Sequence, residues 1–308
     1  MSDKTNAVFE ALADQLVEAI ESNPGDWSKP WREAIGNGIP ANAVTGATYK
    51  GGNTWVLALS HIAGGGPVWA TYNQWKSVGV QVAKGSKAVT LVKWFTPRCK
   101  AKHPKEVRCG ACPKGLFPTA FSVFHADQTE GGAEWIADRY PPVEPPAPGE
   151  RIDHVEAFIA ATGATILHSS PGAFYSPKGD FVNVPAIEQF TDPVRYYGTV
   201  LHELTHWTGH RSRCNRVGIA EFDRFGSEQY AAEELIAELG SVLLGVGILG
   251  IDMPVREDHA AYLASWVRVL KATPKALYTA LTKSSAAANY LVDLTAVAEA
   301  PVEELTAA

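Results

Sequence analysis

The stretch TVLHELTHWTGH, residues 199–210, constrains this chain more than any other. His202 and His206 are four residues apart, and on an α-helix that spacing puts both imidazoles on one face, within reach of a single metal ion. Glu203 lies beside them, where a carboxylate can activate a water. The segment 192–208 is therefore read as a helix that carries a metal-dependent hydrolytic site.

Such a centre needs a third protein ligand. The longer pattern HExxHxxGxxH is matched as far as Gly209, but its last position holds Ser212, which excludes that class. His210 could ligate only if the chain breaks sharply after Gly209. The other candidate is YAAEELIAELG, residues 230–240, where Glu234 and Glu238 stand one helical turn apart among Leu235, Ile236, Ala237 and Leu239. Carboxylates in so apolar a segment need partners. The arrangement resembles that of the gluzincins, in which a glutamate on a second helix ligates the metal and an acidic residue one turn later supports a ligating histidine. On that mapping Glu234 is the ligand and Glu238 the support, with Glu233 as the alternative ligand. Zinc is the expected ion. The strand-like GDFVNVP, residues 179–185, is expected to be the edge strand that holds a peptide substrate, with Tyr175 and Asp180 flanking it.

Charge divides the chain. Residues 27–115 hold 13 Lys and Arg against only Glu33 and Glu106, a balance of +11 in a protein whose net charge is −6. An asymmetry of this size points to two functional regions, the first facing something anionic. The texture divides as well. Residues 6–22 place Phe9, Leu12, Leu16 and Ile20 at helical spacing, and the following segment to about 98 is Gly-punctuated with short β-rich runs. YPPVEPPAPGE, residues 140–150, has five prolines in eleven and reads as a linker. Beyond it the pattern is mostly helical with two short strands. The expected fold is α+β in two domains: a small mixed α+β domain at 1–139 and a helix-rich domain at 151–308.

Six tryptophans stand between 27 and 94, interleaved with cations. Rings stack on bases and cations follow phosphates, which suits single-stranded nucleic acid. Trp27, Trp31 and Trp75, beside Lys, Pro or Gln, are expected on the surface, with Trp55 and Trp94 in the core. The candidate DNA-binding set is Trp27, Lys29, Trp31, Arg32, Tyr49, Lys50, Trp75, Lys76, Lys84 and Lys87. Cys99, His103, Cys109 and Cys112 have a spacing that could close a second, structural zinc site. Cys214 stands alone. Four cysteines are too few and too clustered for a disulfide framework, and the longest apolar run is about half a membrane span, so a soluble protein of a reducing cytoplasm, with no membrane partner, is expected.

Taken in order, DWSKPW, GIPANAVTGATYKGGNTWVL, WATYNQW, GSKAVTLVKW, FSVFHADQ, VLHELTHWTGHRSRCNR, FGSEQYAAEELIAELG and ASWVRVLK make the chain similar, over nearly its whole length, to the ArdC-type antirestriction proteins of mobile genetic elements. The resemblance implies an N-terminal domain that binds single-stranded DNA and a C-terminal gluzincin-like metallopeptidase domain. It also implies a role in shielding incoming DNA from restriction. The alternative is a zinc metalloprotease acting on a host protein, with the basic half only localising it to DNA. On the family mapping His202, His206 and Glu234 hold the metal and Glu203 activates the water.

Overall fold

In a computed structural model, the structure describes residues 3–36, 38–60, 67–96, 99, 115–132, 135, 152–220, 228–251, 253 and 260–299. The Pro-rich segment at 140–150 and three of the four residues of the Cys/His cluster, His103, Cys109 and Cys112, lie outside them.

The chain opens with α1 (Asp3–Ser22), whose apolar stripe of Phe9, Leu12, Leu16 and Ile20 is buried as its spacing predicts. α2 (Lys29–Gly36) buries Trp31 and Ile35, one turn apart, and turns Lys29 and Glu33 outward, while Arg32 is partly buried. Then follow β1 (Ala41–Asn42), α3 (Gly52–Ala58), β2 (Val68–Ala70) and α4 (Tyr72–Ser77). Thr71 begins α4 with a reciprocal capping box to Gln74. After β3 (Gln81–Val82), a long antiparallel ribbon forms from β4 (Val89–Phe95) and β5 (Phe117–His125). The four-stranded sheet has order β1-β2-β5-β4, with β1 and β2 parallel and the other pairings antiparallel. β3 pairs separately with β6 (Thr129–Glu130).

The second half begins with α5 (Asp153–Ala161) and a three-stranded sheet of β7 (Thr165–Leu167), β8 (Phe174–Ser176) and β9 (Phe181–Asn183). α6 (Pro193–Thr208) follows, then the short α7 (Val217–Ala220), α8 (Glu228–Val242), α9 (Ala260–Ala272) and α10 (Lys275–Glu299). Thr273 and Pro274 separate α9 from α10, since proline cannot continue a helix.

One expectation about the small sheet is reversed. Its order is β7-β9-β8, so Phe181–Asn183 is the central strand and cannot offer a free edge. The antiparallel edge is β8, which packs against α6.

A single hydrophobic cluster runs through both halves, from Phe9 and Trp31 to Tyr197, Leu239 and Leu291. The Phe9 and Tyr278 rings lie 4.6 Å apart and those of Trp27 and Trp266 5.3 Å apart. A smaller cluster around Val68, Trp75, Val80 and Val82 sits under the four-stranded sheet. Among the described residues no helix is long and apolar enough to cross a membrane.

Candidate metal centre

α6 starts cleanly because Asp192 caps it, accepting a hydrogen bond from the Val194 amide at 2.8 Å, and Pro193 occupies the first turn. It ends at Gly209. Its residues from Tyr197 to Thr208 are all buried. α8 crosses it closely at Gly240, where an added Cβ would come within 2.6 Å of Thr205 Cγ2. That approach brings Glu234 over the two histidines.

The resulting cluster of His202, His206 and Glu234 is buried, and one ligand atom from each lies within 4.8 Å of the others. His202 Nε2 is 3.5 Å from one oxygen of Glu234, and His206 Nε2 is 3.5 Å from the other. The opposite ring nitrogens face two further carboxylates. His202 Nδ1 is 3.4 Å from Glu238, and His206 Nδ1 is 3.4 Å from Glu233. Both imidazoles thus aim Nε2 inward with a carboxylate 3.4 Å behind Nδ1, hydrogen-bonded at His206, the arrangement by which outer carboxylates fix a ligating histidine's tautomer and direction. Two imidazoles and a carboxylate in a buried pocket suit a divalent ion of the zinc type.

The electrostatics agree with the geometry. Burial by itself would lower the His206 pKa, but the neighbouring carboxylates of Glu233, Glu234 and Glu203 outweigh it and push the ring up to about 10. Burial would likewise raise Glu234, and the hydrogen bonds to His202 and His206 hold it far below the usual carboxylate range instead. Tyr230, one turn before Glu234, is hydrogen-bonded to Glu234 and Tyr262; burial and the Glu234 charge raise its phenol well above the usual range.

Glu233 is not a ligand in this arrangement. Its carboxylate faces away from the centre of the cluster and is forked by Arg216. This support was legible only as a Glu-Glu doublet and an arginine behind the histidine motif. The residues after Gly209 also find structural partners. Arg213 pairs with Asp180, donates to the Trp207 carbonyl at 2.7 Å and lies 3.8 Å over the Trp207 ring, while His210 contacts Ser212 at 2.8 Å. Tyr175 donates to Asp180 at 2.8 Å, so the two residues flanking the small sheet are joined to this loop.

Residues 153–283 match the zincin-like metallopeptidase family MPTase-PolyVal, and residues 6–124 match the N-terminal domain of the anti-restriction factor ArdC. The crystal structure of the antirestriction ArdC protein from plasmid R388, in its metal-free form, superposes with a TM-score of 0.71 at 34% identity, covering 94% of this chain and 98% of that one. The chain belongs to the ArdC antirestriction family. The Mn(II)-bound structure of the same ArdC protein gives a TM-score of 0.69. An uncharacterised protein of Sinorhizobium fredii is 34% identical over 292 residues, 92% of this chain and 91% of that protein. DNA primase TraC of Escherichia coli is 34% identical over 299 residues, a match that covers 91% of this ArdC-family chain and 26% of the primase.

The candidate DNA-binding residues of the ArdC-type N-terminal half are placed less as expected. Trp27, Trp31 and Trp75 are core residues, each at most 1% exposed, and Trp75 spends its indole N–H on the Phe124 carbonyl. Trp55 is buried as expected, whereas Trp94 is 38% exposed. Tyr49 is half-buried, with its hydroxyl near Asn42 and the Trp69 carbonyl. Arg32 is tied to Asp26 and the Met253 carbonyl, and Lys29 lies 3.8 Å from Glu33. Lys50, Lys76, Lys84 and Lys87 are exposed. Of the proposed Cys/His cluster only Cys99 is described, half-buried; burial pushes the thiol of the solitary Cys214 up.

Proposed function

We propose that this chain is an antirestriction factor that binds single-stranded DNA through its N-terminal half and carries a divalent-metal-dependent, peptidase-type site in its C-terminal half. The observation that carries the second part is the pair of imidazoles whose Nε2 atoms converge on Glu234 while their Nδ1 atoms rest against Glu238 and Glu233. His202, His206 and Glu234 would hold the ion, and Glu238 and Glu233 would orient the two rings. Zinc is the ion this donor set suits best, and the R388 relative takes Mn(II).

When bound, such an ion supplies Lewis acidity toward a carbonyl and a water acidified to near neutral pKa. The rest is done by the chain. Glu203, buried on α6 beside His202, is the base that takes the proton from the attacking water and returns it to the leaving amine. The β8 edge, packed against α6, is the place for an extended peptide to add by main-chain hydrogen bonding. The basic block at 27–115 and the family membership support DNA binding by the first half.

The test is metal content by mass spectrometry, with single-stranded DNA affinity, on wild type, His202→Ala and Glu234→Ala. One equivalent of divalent metal in wild type, lost in both variants with DNA binding retained, is the expected result. Wild type that binds no divalent ion overturns the metal reading. Glu203→Gln separates the two roles: retained metal and DNA binding with lost antirestriction would make hydrolysis of a host protein the primary activity.

A further inference from the structure

Five of the six tryptophans between 27 and 94 are buried, Trp27, Trp31, Trp55, Trp69 and Trp75, and a ring in the core cannot stack on a base. The sixth stands at the far end of the β4–β5 ribbon, where the strands run beyond the core. Leu91, Val92 and Val123 are buried in the stem. At the end, Trp94 is 38% exposed, Phe95 40%, Phe117 47% and Leu116 63%. Phe95 and Phe117 are directly opposed across the two strands, and Lys93, next to Trp94, is exposed. Successive strand residues face opposite sides, so Trp94 lies on one face of this end and the Phe95–Phe117 pair on the other, and both faces expose apolar surface in want of a partner.

Trp94 is also held in place. The Tyr278 side chain lies beside it, with its hydroxyl 3.4 Å from Asn53 Oδ1. Asn53 clamps the strand one residue before the ring, donating to the Val92 carbonyl at 2.7 Å and accepting from the Val92 amide at 3.0 Å. A ring on a strand clamped in this way loses little freedom when a flat partner stacks on it.

The charge of the sequence says what that partner is. The 21 residues that join the strands, 96–116, contain six Lys and Arg and only Glu106 against them. Exposed rings beside so cationic a stretch suit a polyanion with flat faces, which is a nucleic-acid strand with unpaired bases.

We infer that the end of the β4–β5 ribbon is a stacking site for single-stranded DNA, with Trp94 as the anchored ring on one face and Phe95 and Phe117 as the paired rings on the other. This rests on the reading that the N-terminal half binds single strands, and it assigns that binding to residues other than the tryptophans the sequence favours.

The experiment measures the affinity of the full-length protein for a labelled oligo-dT strand, and for a strand of the same length made of abasic units. The proteins are wild type, Trp94→Ala, Trp94→Phe and the double variant Phe95→Ala with Phe117→Ala, with Ile248→Ala, 38% exposed and outside both proposed sites, as the control. Alanine in place of a stacked ring weakens binding by roughly 5- to 150-fold. The expected result is a loss of that order for Trp94→Ala and the double variant, near wild-type affinity for Trp94→Phe and Ile248→Ala, and equal affinity of all five for the abasic strand.

Wild type that binds oligo-dT with none of the variants weakened overturns the stacking site and leaves the DNA reading standing. Wild type that does not bind oligo-dT overturns both. A drop in oligomeric state in the variants at unchanged DNA affinity would make the surface a contact between copies of this chain and overturn the proposal.

Discussion

Arg216 grips Glu233 from the loop behind the metal helix, with Nη2 2.6 Å and Nε 2.9 Å from Oε1 and Nε 3.0 Å from Oε2. Both side chains are 3% exposed, and the other Arg216 donors reach the Thr208 hydroxyl at 2.7 Å and the Thr205 carbonyl at 2.6 Å. A single arginine therefore neutralises the carboxylate behind His206 and ties the loop to α6. Arg216→Met leaves Glu233 charged and buried without its counter-ion, which costs about 3–5 kcal/mol. Thermal unfolding should register that loss. Arg216→Lys should recover only part of it, because an ammonium cannot fork a carboxylate.

Glu238 and Tyr230 act on the proposed ligands from either side of the cluster, Glu238 behind His202 and Tyr230 on Glu234. Removing an outer partner of this kind lowers metal affinity by about 10- to 100-fold while leaving the ligands in place. Glu238→Ala and Tyr230→Phe should each show that weakening in titrations with Zn(II) or Mn(II) against a competing chelator, with stoichiometry unchanged. Affinity equal to wild type in both would mean that the three ligands hold their geometry unaided.

Gly240 sets the distance between the two helices that share the site. A methyl there meets Thr205 Cγ2 at 2.6 Å and Thr205 Oγ1 at 2.9 Å, closer than real Cβ contacts. Thr205 is itself fully buried, so α6 and α8 must separate. Gly240→Ala is expected to destabilise the fold by about 1–3 kcal/mol despite alanine's better helix propensity, and to weaken metal binding at the same time. Urea unfolding paired with metal titration checks both.

The cluster of His202, His206 and Glu234 was legible because each pair, His202 with His206 and Glu234 with Glu238, is spaced by one turn, and helical spacing fixes a shared face before any tertiary contact is known. Glu233 was not, because adjacent helical residues point about 100° apart and its counter-ion comes from a loop 17 positions away in sequence. The order β7-β9-β8 was equally hidden, since sequence marks strands and not their neighbours. Trp31 misled for a different reason: Lys29 and Glu33 beside it line the outer face of α2, while Trp31 and Ile35 form the inner one. Trp94 misled in the opposite sense, because Leu91 and Val92 end the buried stem just before it.

Asp180 and Arg213 give the small sheet a pH signature. The hydrogen bond from Arg213 is the chief cause that holds the Asp180 carboxyl below its usual value, with burial opposing it and Tyr175 assisting. A carboxyl whose folded pKa is depressed contributes its stability above the unfolded pKa, about 3.9, and loses it as pH falls through the folded value. Asp180 adopts φ 51°, which asparagine tolerates, so Asp180→Asn removes the charge without straining the backbone. Wild type should exceed the variant in urea midpoint at pH 7, and the gap should close as the pH is taken below 4. A gap that persists at acid pH would assign the difference to the hydrogen bonds rather than the charge.

The buried tryptophans make the last prediction. Trp31 packs its ring 5.4 Å from that of Trp55, and both belong to the cluster that joins the N-terminal helices to α9 and α10. Trp31→Ala should therefore cost about 3–5 kcal/mol of stability, as truncation of a core aromatic does. Trp31→Phe keeps most of the buried surface and should fold. If the ring serves the core, the affinity of Trp31→Phe for single-stranded DNA equals that of wild type at matched salt. A loss of affinity in a fully folded Trp31→Phe protein would mean that the ring reaches the DNA in a conformation other than this one, since a side chain 1% exposed has no face to offer a base.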